Sequence, residues 1–420
     1  MRRRSPRVNA LRVIGSLLLS LLVANLAAAA GGNVARSGDL ADLARKLVGA
    51  DQGVYVEAGD GTVLVAQAAG KAVHPASVSK IPTTLALLRG LGPEHRFVTT
   101  FSTNGTLRND ELAGDLMVAT DGDPYLVDEN ALLITQSLRT LGIASVSGQL
   151  RVPESLVFNW ISDNAAARLQ HAMSGGAPPA AWQAVLSLGT ATERDASAAQ
   201  MPALRFTPPG ATTKPTSGEA RVLIEHRSQP LLSMVKQLND YSNNIFKPLA
   251  DAAGGAVAVQ SLARSLLPEP VRNEVTLGDG AGTDARNRLS PRAAVKLLRL
   301  LEQELVAHGH TLVDALPVAG VDEGTLLKRF NAAEFAGRVV GKTGTFGDYG
   351  ASALVGAFNS SDHGTVYFAV LNHNVPVIEA RRRQDAFVAA LLTRLPGVAW
   401  EYERDARPAV ARAEVVLPSR

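Results

Sequence analysis

A serine and a lysine three positions apart are the residues of this sequence best suited to begin covalent chemistry. Ser77 and Lys80 lie in the stretch His-Pro-Ala-Ser-Val-Ser-Lys, residues 74–80, just before an apolar-periodic run that predicts a helix. Positions i and i+3 share one face of a helix, so the hydroxyl and the amine can meet there. A lysine held out of water is one base that can activate a serine. Ser-x-x-Lys is frequent by chance, so its partners must come from elsewhere in the chain.

Two further segments offer the other groups that acyl transfer requires, namely a proton relay, donors for an oxyanion and a clamp for a carboxylate. Ser242 and Asn244 lie in a polar turn, whose plainer interpretation is a cap for the helix that follows. The other segment is the Lys-Thr-Gly-Thr run at 342–345. Lys342 near Lys80 would supply a like charge that lowers the pKa of that base, and Ser242 can pass a proton between the two amines.

The 342–345 run can also hold a substrate that ends in a free carboxylate. Thr343 and Thr345 offer hydroxyl groups, and Lys342 offers a positive charge, for that carboxylate. Gly344 removes a side chain, so that an extended peptide can lie along the edge of a strand.

In this order, Ser77-x-x-Lys80, Ser242-x-Asn244 and Lys342-Thr343-Gly344 are the signature of penicillin-recognising serine acyl-transferases. The chain resembles the D-alanyl-D-alanine carboxypeptidase/endopeptidases among the class C low-molecular-mass penicillin-binding proteins. The resemblance covers roughly residues 38–160 and 219–395. Beyond the three motifs it is carried by Gly114-Asp115-Leu116, Gly122-Asp123-Pro124, Glu225-His226-Arg227-Ser228, Asp279-Gly280-Ala281-Gly282, Arg286-Asn287, Ser290-Pro291 and Leu316-Pro317-Val318-Ala319-Gly320.

The resemblance implies a role for each site residue. Ser77 would be acylated, Lys80 would be the acylation base, Ser242 would relay the proton and Asn244 would hold the peptide amide of the substrate. The backbone N–H groups of Ser77 and Thr345 would form the oxyanion hole. The implied activity is that of a serine-type D-Ala-D-Ala carboxypeptidase on peptidoglycan stem peptides, with DD-endopeptidase activity as a second option and penicillins as acylating inhibitors. Neither a metal nor another cofactor is expected.

The implied fold is a mixed α/β (α+β) penicillin-binding transpeptidase/β-lactamase-like domain, an antiparallel sheet with helices on both faces, plus an inserted smaller α+β domain. Members of the family usually carry a longer insert, folded as two extra domains. Here Ser242 follows Ser77 by 165 positions, and Thr283-Asp284 stands where a Leu-Ser pair is usual. These departures concern substrate positioning, and therefore the balance between carboxypeptidase and endopeptidase activity, more than the core chemistry.

Periodicity and turn residues predict the elements that must position these groups. Helices are expected at 38–50, after Ser77, and at 130–141, 163–172, 231–238, from 245 onward, 291–305 and 378–395, with the arginines 381–383 on the solvated face of the last. Strands are expected at 54–57, 63–66, 96–102, 115–119, 147–152, 220–226, 335–340, 351–358 and 365–372. The resulting organisation is a signal peptide at 1–30, a discontinuous peptidase domain at 31–95 and 219–400, an inserted α+β domain at 96–160, an irregular return segment at 161–218 and a C-terminal tail at 401–420.

The N-terminus has the composition of a secretory signal. Five arginines and no acidic residue occur in 1–30, with an apolar run at 13–26 followed by four alanines. That run is short for a membrane span, so we expect cleavage near Ala30, a periplasmic location and no stable membrane span afterwards. Removing the five arginines changes the formal net charge from +3 to −2, which leaves no nucleic-acid footprint. The absence of cysteine excludes disulfides and thiol chemistry.

Alternative functions remain open from the sequence. A P-loop ending at Gly341-Lys342-Thr343 would need glycine at 336, where the chain has alanine. A β-lactamase-like hydrolase shares all three motifs and differs in its deacylation rate. A non-catalytic cell-wall-binding module on the same fold would not require the full set of reactive residues. Asp121-Gly122-Asp123-Pro124 has the composition of a metal loop, but Asp128 does not fit a calcium-loop spacing, which favours a simple turn.

Overall fold

A computed structural model of the chain describes residues 37–189, 200–213, 220–241, 246–347 and 350–417. The α-helices of these residues are α1 (Ser37–Val48), α2 (Lys80–Leu91), α3 (Asp128–Thr140), α4 (Ala165–His171), α5 (Pro179–Leu186), α6 (Leu231–Asp240), α7 (Lys247–Ala252), α8 (Gly255–Leu266), α9 (Pro291–Ala307) and α10 (Val377–Arg394). Short 3-10 helices cover Ala76–Ser79, Val271–Glu274, Leu312–Asp314 and Ala409–Arg412.

The strands follow in the same chain order. They are β1 (Gly53–Glu57), β2 (Val63–Gln67), β3 (Val98–Thr103), β4 (Thr106–Arg108), β5 (Glu111–Ala113), β6 (Leu116–Thr120), β7 (Ser145–Val146), β8 (Leu150–Arg151), β9 (Arg205–Phe206), β10 (Ala211–Thr212), β11 (Arg221–Arg227), β12 (Val275–Thr276), β13 (Arg288–Leu289), β14 (Val340–Phe346), β15 (Ala351–Ser360), β16 (Gly364–Asn372) and β17 (Glu414–Val416).

A five-stranded antiparallel sheet in the order β14-β15-β16-β1-β2 forms the centre of the outer domain. Alternate residues of its strands face opposite sides, because successive side chains of a strand point to opposite faces. On one side, Val355 and Leu371 pack in a core with α2 and α9. On the other, Leu354 and Val370 pack in a second core with α1 and α10. The sheet therefore has helices on both faces, as the fold class expected from the sequence requires.

The inserted domain has its own sheet and its own core. A six-stranded sheet has the order β10-β8-β6-β3-β11-β17, and a smaller sheet has the order β4-β5-β7-β9. Strand β11, which the sequence placed in the peptidase domain, pairs with β3 (Ile224 opposite Phe101). Strand β17, within the predicted tail, pairs with β11 (Val415 opposite His226). The alternation of β11 predicts a strand, but nothing local to the sequence specifies its partner.

Residues of the expected return segment also belong to the insert. Helices α4 and α5 pack into its core through Leu169 and Trp182. The sequence predicted α4 but treated the apolar stretch that forms α5 only as a short run before an irregular loop. About half of that loop, residues 190–199 and 214–218, lies outside the described residues, and the part at 200–213 contains the strands β9 and β10, which the sequence did not predict.

The predicted strand at 335–340 is wrong. Residues around Phe335 form turns, with the Phe335 amide donating to the Ala332 carbonyl, and the strand β14 runs instead through the Lys-Thr-Gly-Thr run itself. Glycine and lysine are depleted in strands, and Gly341, Lys342 and Gly344 interrupt the pattern, so the apolar residues before them attracted the assignment. Within the described residues, no helix has both the length and the apolar character to cross a bilayer.

Candidate active site

Ser77 lies in the short 3-10 helix Ala76–Ser79, one turn before α2 begins at Lys80. The turn is constrained at its start. Ala76 has a positive φ of 48°, a conformation that side chains other than glycine rarely adopt. The Ala76 amide donates to His74 Nδ1 at 3.1 Å, and the Val78 amide donates to the Pro75 carbonyl at 3.2 Å. The sequence expected Ser77 in the first turn of the helix, and the structure places it in the tighter turn that leads into it.

The amine of Lys80 contacts the Ser77 hydroxyl, as the spacing predicted. The Nζ–Oγ distance is 2.9 Å, and Nζ also donates to the Ala281 carbonyl oxygen at 2.5 Å. Lys80 is 0% exposed, and the ring centre of Phe246 lies 5.5 Å from Nζ. Burial lowers the pKa of Lys80 to about 7, against an opposing effect of the Asp279 carboxylate. A neutral amine that donates to Ala281 keeps its lone pair for the Ser77 proton.

A tight loop at 279–284 holds the Ala281 carbonyl in place. The Asp279 carboxylate accepts hydrogen bonds from the amides of Gly282 (2.8 Å) and Thr283 (2.9 Å) and from Asn287 Nδ2 (2.8 Å). Burial alone would raise the pKa of Asp279, but these hydrogen bonds together keep it below its usual value. The sequence identifies this stretch only as a turn and as one of the segments that carry the family resemblance, and predicts no role for it. The structure makes it the support of the base.

Two glycines enclose the turn that carries Ser77. A Cβ added at Gly282, whose φ is +94°, would lie 2.1 Å from the Ala76 carbonyl oxygen. A Cβ added at Gly344 would lie 2.4 Å from the Pro75 carbonyl oxygen and 3.2 Å from the Ser77 amide nitrogen. The sequence explained Gly344 as space for a peptide. In the structure, its missing side chain instead lets β14 approach the serine.

Lys342 lies on the same face of β14 as Gly344 and is 0% exposed. Its Nζ donates to the Thr343 carbonyl at 3.2 Å. Burial and the charge of Lys80 lower the pKa of Lys342 well below its usual value, and Asp240 opposes the shift. The sequence expected Lys342 to lower the pKa of Lys80. Burial is the main cause of the lowered pKa of Lys80 and of Lys342, and the repulsion between the two amines disfavours a doubly charged pair.

The threonines of the run point to the other side of the strand. Thr343 is buried and donates to Thr325 Oγ1 at 2.8 Å. Thr345 is exposed and accepts a hydrogen bond from Arg381 Nη2 at 2.9 Å. The sequence assigned Arg381 only to the solvated face of the last helix, because its contact with residue 345 spans two elements that sequence patterns do not connect.

Ser242 and Asn244 lie outside the described residues, so the structure says nothing of them. Their described neighbours are Tyr241, which is exposed, and Phe246, which is buried beside Lys80. Of the predicted site residues that are described, the structure brings Ser77, Lys80 and Gly344 into contact, with the Lys342 amine buried nearby and the two threonine side chains on the other face of the strand.

A cavity of about 740 Å³ lies between the insert and the outer domain, next to Tyr241. Tyr125 and Trp160 of the insert line it, together with Tyr402 and Arg404 from the C-terminal segment. The described residues hold no cluster of three or more His, Asp or Glu side chains that could bind a metal. In the suspected metal loop, Asp123 accepts the Tyr125 amide at 2.8 Å, which is the geometry of a turn.

Comparison with known proteins decides the family. The model of the D-Ala-D-Ala carboxypeptidase 3 (S13) family matches residues 37–187 and 207–394. The chain belongs to this family. It is therefore a serine peptidase of the penicillin-binding class that acts on D-Ala-D-Ala peptides of peptidoglycan.

Solved structures share the fold of this S13 peptidase. The predatory endopeptidase Bd0816 of Bdellovibrio bacteriovorus, determined with an immunity protein, is 20% identical with a TM-score of 0.71 and covers 87% of this chain and 99% of its own. The penicillin G-acylated endopeptidase Bd3459 of the same organism is 20% identical, with a TM-score of 0.69 and coverage of 87% and 99%. Penicillin-binding protein 4 of Haemophilus influenzae is 18% identical, with a TM-score of 0.60 and coverage of 84% and 99%.

Proposed function

We propose that the protein is a serine-type D-Ala-D-Ala carboxypeptidase that forms an acyl-enzyme on Ser77. The observation that carries this proposal is the 2.9 Å contact between Ser77 Oγ and the amine of Lys80, a base whose pKa burial lowers to about 7. A serine hydroxyl is a weak nucleophile until a neighbouring base takes its proton. With its pKa lowered in this way, Lys80 can be neutral near neutral pH and accept that proton.

The reaction follows from this pair. Neutral Lys80 accepts the Ser77 proton as Oγ attacks the carbonyl carbon of the penultimate D-alanine. The backbone N–H groups of Ser77 and Thr345 stabilise the oxyanion. Collapse breaks the C–N bond, and Ser242 relays the proton from Lys80 to the leaving amine of D-alanine. Water then attacks the ester carbonyl and gives a proton to Lys80. The bond between the acyl carbon and Ser77 Oγ breaks, Lys80 returns the proton to Oγ, and the shortened peptide leaves as a carboxylic acid.

The remaining site residues bind the substrate. Asn244 holds the peptide amide, the Thr345 hydroxyl faces the terminal carboxylate, and Lys342 adjoins Lys80 at the end of the relay. The Thr343 hydroxyl is buried and bonded to Thr325, so it supports the strand instead. Gly344 keeps the strand close to Ser77, as the contact with its turn supports. Penicillins, whose strained amide mimics the scissile bond, acylate the same serine.

Export is part of the proposal. The basic, apolar and small-residue succession of residues 1–30 acts as a signal peptide, with cleavage near Ala30 and delivery to the periplasm, where peptidoglycan peptides are found. N-terminal sequencing of the secreted protein tests this point. A mature chain that begins near residue 31 is expected, whereas retention of residues 1–30 contradicts it.

DD-endopeptidase activity is the second candidate. The cavity of about 740 Å³ between the insert and the outer domain lies beside Tyr241 and offers room for a second peptide branch. Among the solved structures, the Bdellovibrio endopeptidase aligns with a TM-score of 0.71 and the Haemophilus penicillin-binding protein with 0.60. Purified dimeric cross-linked muropeptide separates the two activities, because only an endopeptidase converts it to monomers.

Labelling with a fluorescent penicillin and release of D-alanine from a pentapeptide test the proposal together. The wild type is expected to bind one penicillin per chain on Ser77, as mapped by mass spectrometry, and S77A to bind none. Ser79 is the matched control, because it lies in the same turn with a buried hydroxyl that has no hydrogen-bond partner in the described chain. S79A should label like the wild type. Labelling of S77A would refute the assignment of Ser77 as the nucleophile. Stoichiometric labelling of the wild type without any peptide cleavage would support the alternative of a non-catalytic cell-wall-binding module. Rapid release of hydrolysed penicillin would support the alternative of a β-lactamase-like hydrolase.

A further inference from the structure

Three consecutive arginines lie in the first half of the last helix, and they do not share one task. Arg382 and Arg383 both bind the carboxylate of Glu379, one turn earlier on α10. Arg381 turns to the sheet instead and donates from Nη2 to Thr345 Oγ1 at 2.9 Å. The salt bridges found among the described residues include none for Arg381, and its side chain is exposed. Its charge is therefore available to an anion.

The site needs such a charge from a residue other than Lys342. A terminal carboxylate binds best to a fully ionised donor with several N–H groups. Lys342 is completely buried, its amine is already bonded to the Thr343 carbonyl, and its pKa lies well below the usual value because of burial and the charge of Lys80. An arginine stays ionised at any physiological pH and has five N–H donors, of which the Thr345 contact uses one.

The position of Arg381 fits this task. Strand β14 is the edge of its sheet, and an extended peptide adds to an edge through backbone hydrogen bonds. Thr345 lies near the end of that edge, two residues beyond Thr343 and next to Gly344, which touches the Ser77 turn. Arg381 reaches Thr345 from α10, on the face of the sheet opposite Lys342 and Gly344.

We propose that Arg381 binds the α-carboxylate of the leaving amino acid together with the Thr345 hydroxyl, and so selects acyl donors that carry a carboxylate next to the scissile amide. On binding, the Thr345 hydroxyl donates to one carboxylate oxygen and the guanidinium donates to the other. This inference rests on the proposed function and specifies the residue that recognises the substrate charge. A terminal D-alanine has this carboxylate, and so does the leaving residue of a peptide cross-link.

The test compares a charged substrate with a neutral one. An N-acylated tripeptide ending in D-Ala-D-Ala is assayed as the free acid and as the C-terminal amide, and benzylpenicillin is compared with its methyl ester for the rate of acylation. For R381A, kcat/KM on the acid and the acylation rate with benzylpenicillin should fall about 30- to 100-fold. The amide and the ester should change less than about 3-fold. R381K keeps the charge but not the fork of donors, and it should retain an intermediate rate.

R382A is the matched control, because Arg382 is an exposed arginine at the next position whose hydrogen bonds within the described part of the chain go to Glu379. It should act like the wild type on all four substrates. Exposed ion pairs contribute little to stability, so both variants should fold normally, and thermal unfolding checks this. An equal loss on acid and amide, or equal activity of R381A and R382A, overturns the inference while labelling of Ser77 keeps the proposed function intact. A wild type that is not acylated at Ser77 overturns both.

Discussion

Strand β14 is buried along most of its length and open to water at its end, and this difference separates reaction from recognition. On one face, Lys342 and Gly344 are buried against the turn of Ser77. On the other, at the open end of the strand, Thr345 and Arg381 are exposed. A single strand can serve both purposes because its side chains alternate between faces. The buried face sets the pKa of a base, and the exposed end offers permanent charge.

The cations on the two sides follow the same distinction. Burial lowers the pKa of Lys80 to about 7, which an ammonium ion permits because it can release its proton. A guanidinium cannot do so at physiological pH and would be a poor choice beside Ser77. A lysine is therefore suited to the buried position beside Ser77, and an arginine to the exposed end of the strand.

Replacing Lys80 with alanine should remove the buried base that accepts the Ser77 proton. The Ser77 hydroxyl then has no base within hydrogen-bond distance among the described residues, so the rate of acylation by penicillin should fall about 1000-fold or more. Stopped-flow labelling measures this rate. Lys46 is an exposed lysine on α1, and K46A should keep the wild-type rate. A loss below about 10-fold in K80A would mean that another group takes the proton.

Gly282→Ala should displace the turn of Ser77. The new Cβ would start 2.1 Å from the Ala76 carbonyl oxygen, so the backbone must move. A displacement of about 1 Å in a catalytic group can cost about 100-fold in rate, which is the expected loss of kcat/KM. Gly309 has a similar φ of +80°, and a Cβ added there would meet no atom within 4 Å, so G309A carries only the cost of the backbone conformation. Equal activity of the two variants would show that the close approach is not required.

The pH dependence reports the state of Lys80. Its protonated amine cannot accept the Ser77 proton, so kcat/KM should rise about tenfold per pH unit at low pH and level off above an apparent pKa of about 7. Rates of penicillin acylation between about pH 5 and 9 measure the profile. A rate that keeps rising to about pH 10 would indicate an ordinary, solvated lysine.

Asp279→Asn should shift that profile by a small amount. The Asp279 carboxylate raises the pKa of Lys80, so removing its charge should move the apparent pKa downward, by less than about one unit. The shift distinguishes an electrostatic effect from a loosened loop, which would lower the rate at every pH. Asp284 is partly exposed and bonds Arg286, and D284N should leave the profile in place. An upward shift in D279N contradicts the assigned sign.

Much of the site could be predicted from local sequence. The spacing of Ser77 and Lys80 alone indicates their contact, because helical geometry is local. The burial of Lys342 is not local, since it depends on a strand meeting a helix across more than 250 positions. For this reason the motif alone predicts Lys342 as the charge for the carboxylate, whereas we propose the exposed guanidinium of Arg381 for that role. The partner of β11 was missed for the same reason, because strand pairing is a long-range choice.

The most direct test of the whole account is the titration of the Lys80 amine itself. NMR of protein labelled with ¹³C at the lysine ε-carbons, with the Lys80 signal assigned by its absence in K80A, follows this amine as the pH changes. The account predicts a pKa midpoint of about 7, because burial disfavours the charged form. A midpoint near the usual lysine value would contradict the claim that Lys80 is a base poised against Ser77.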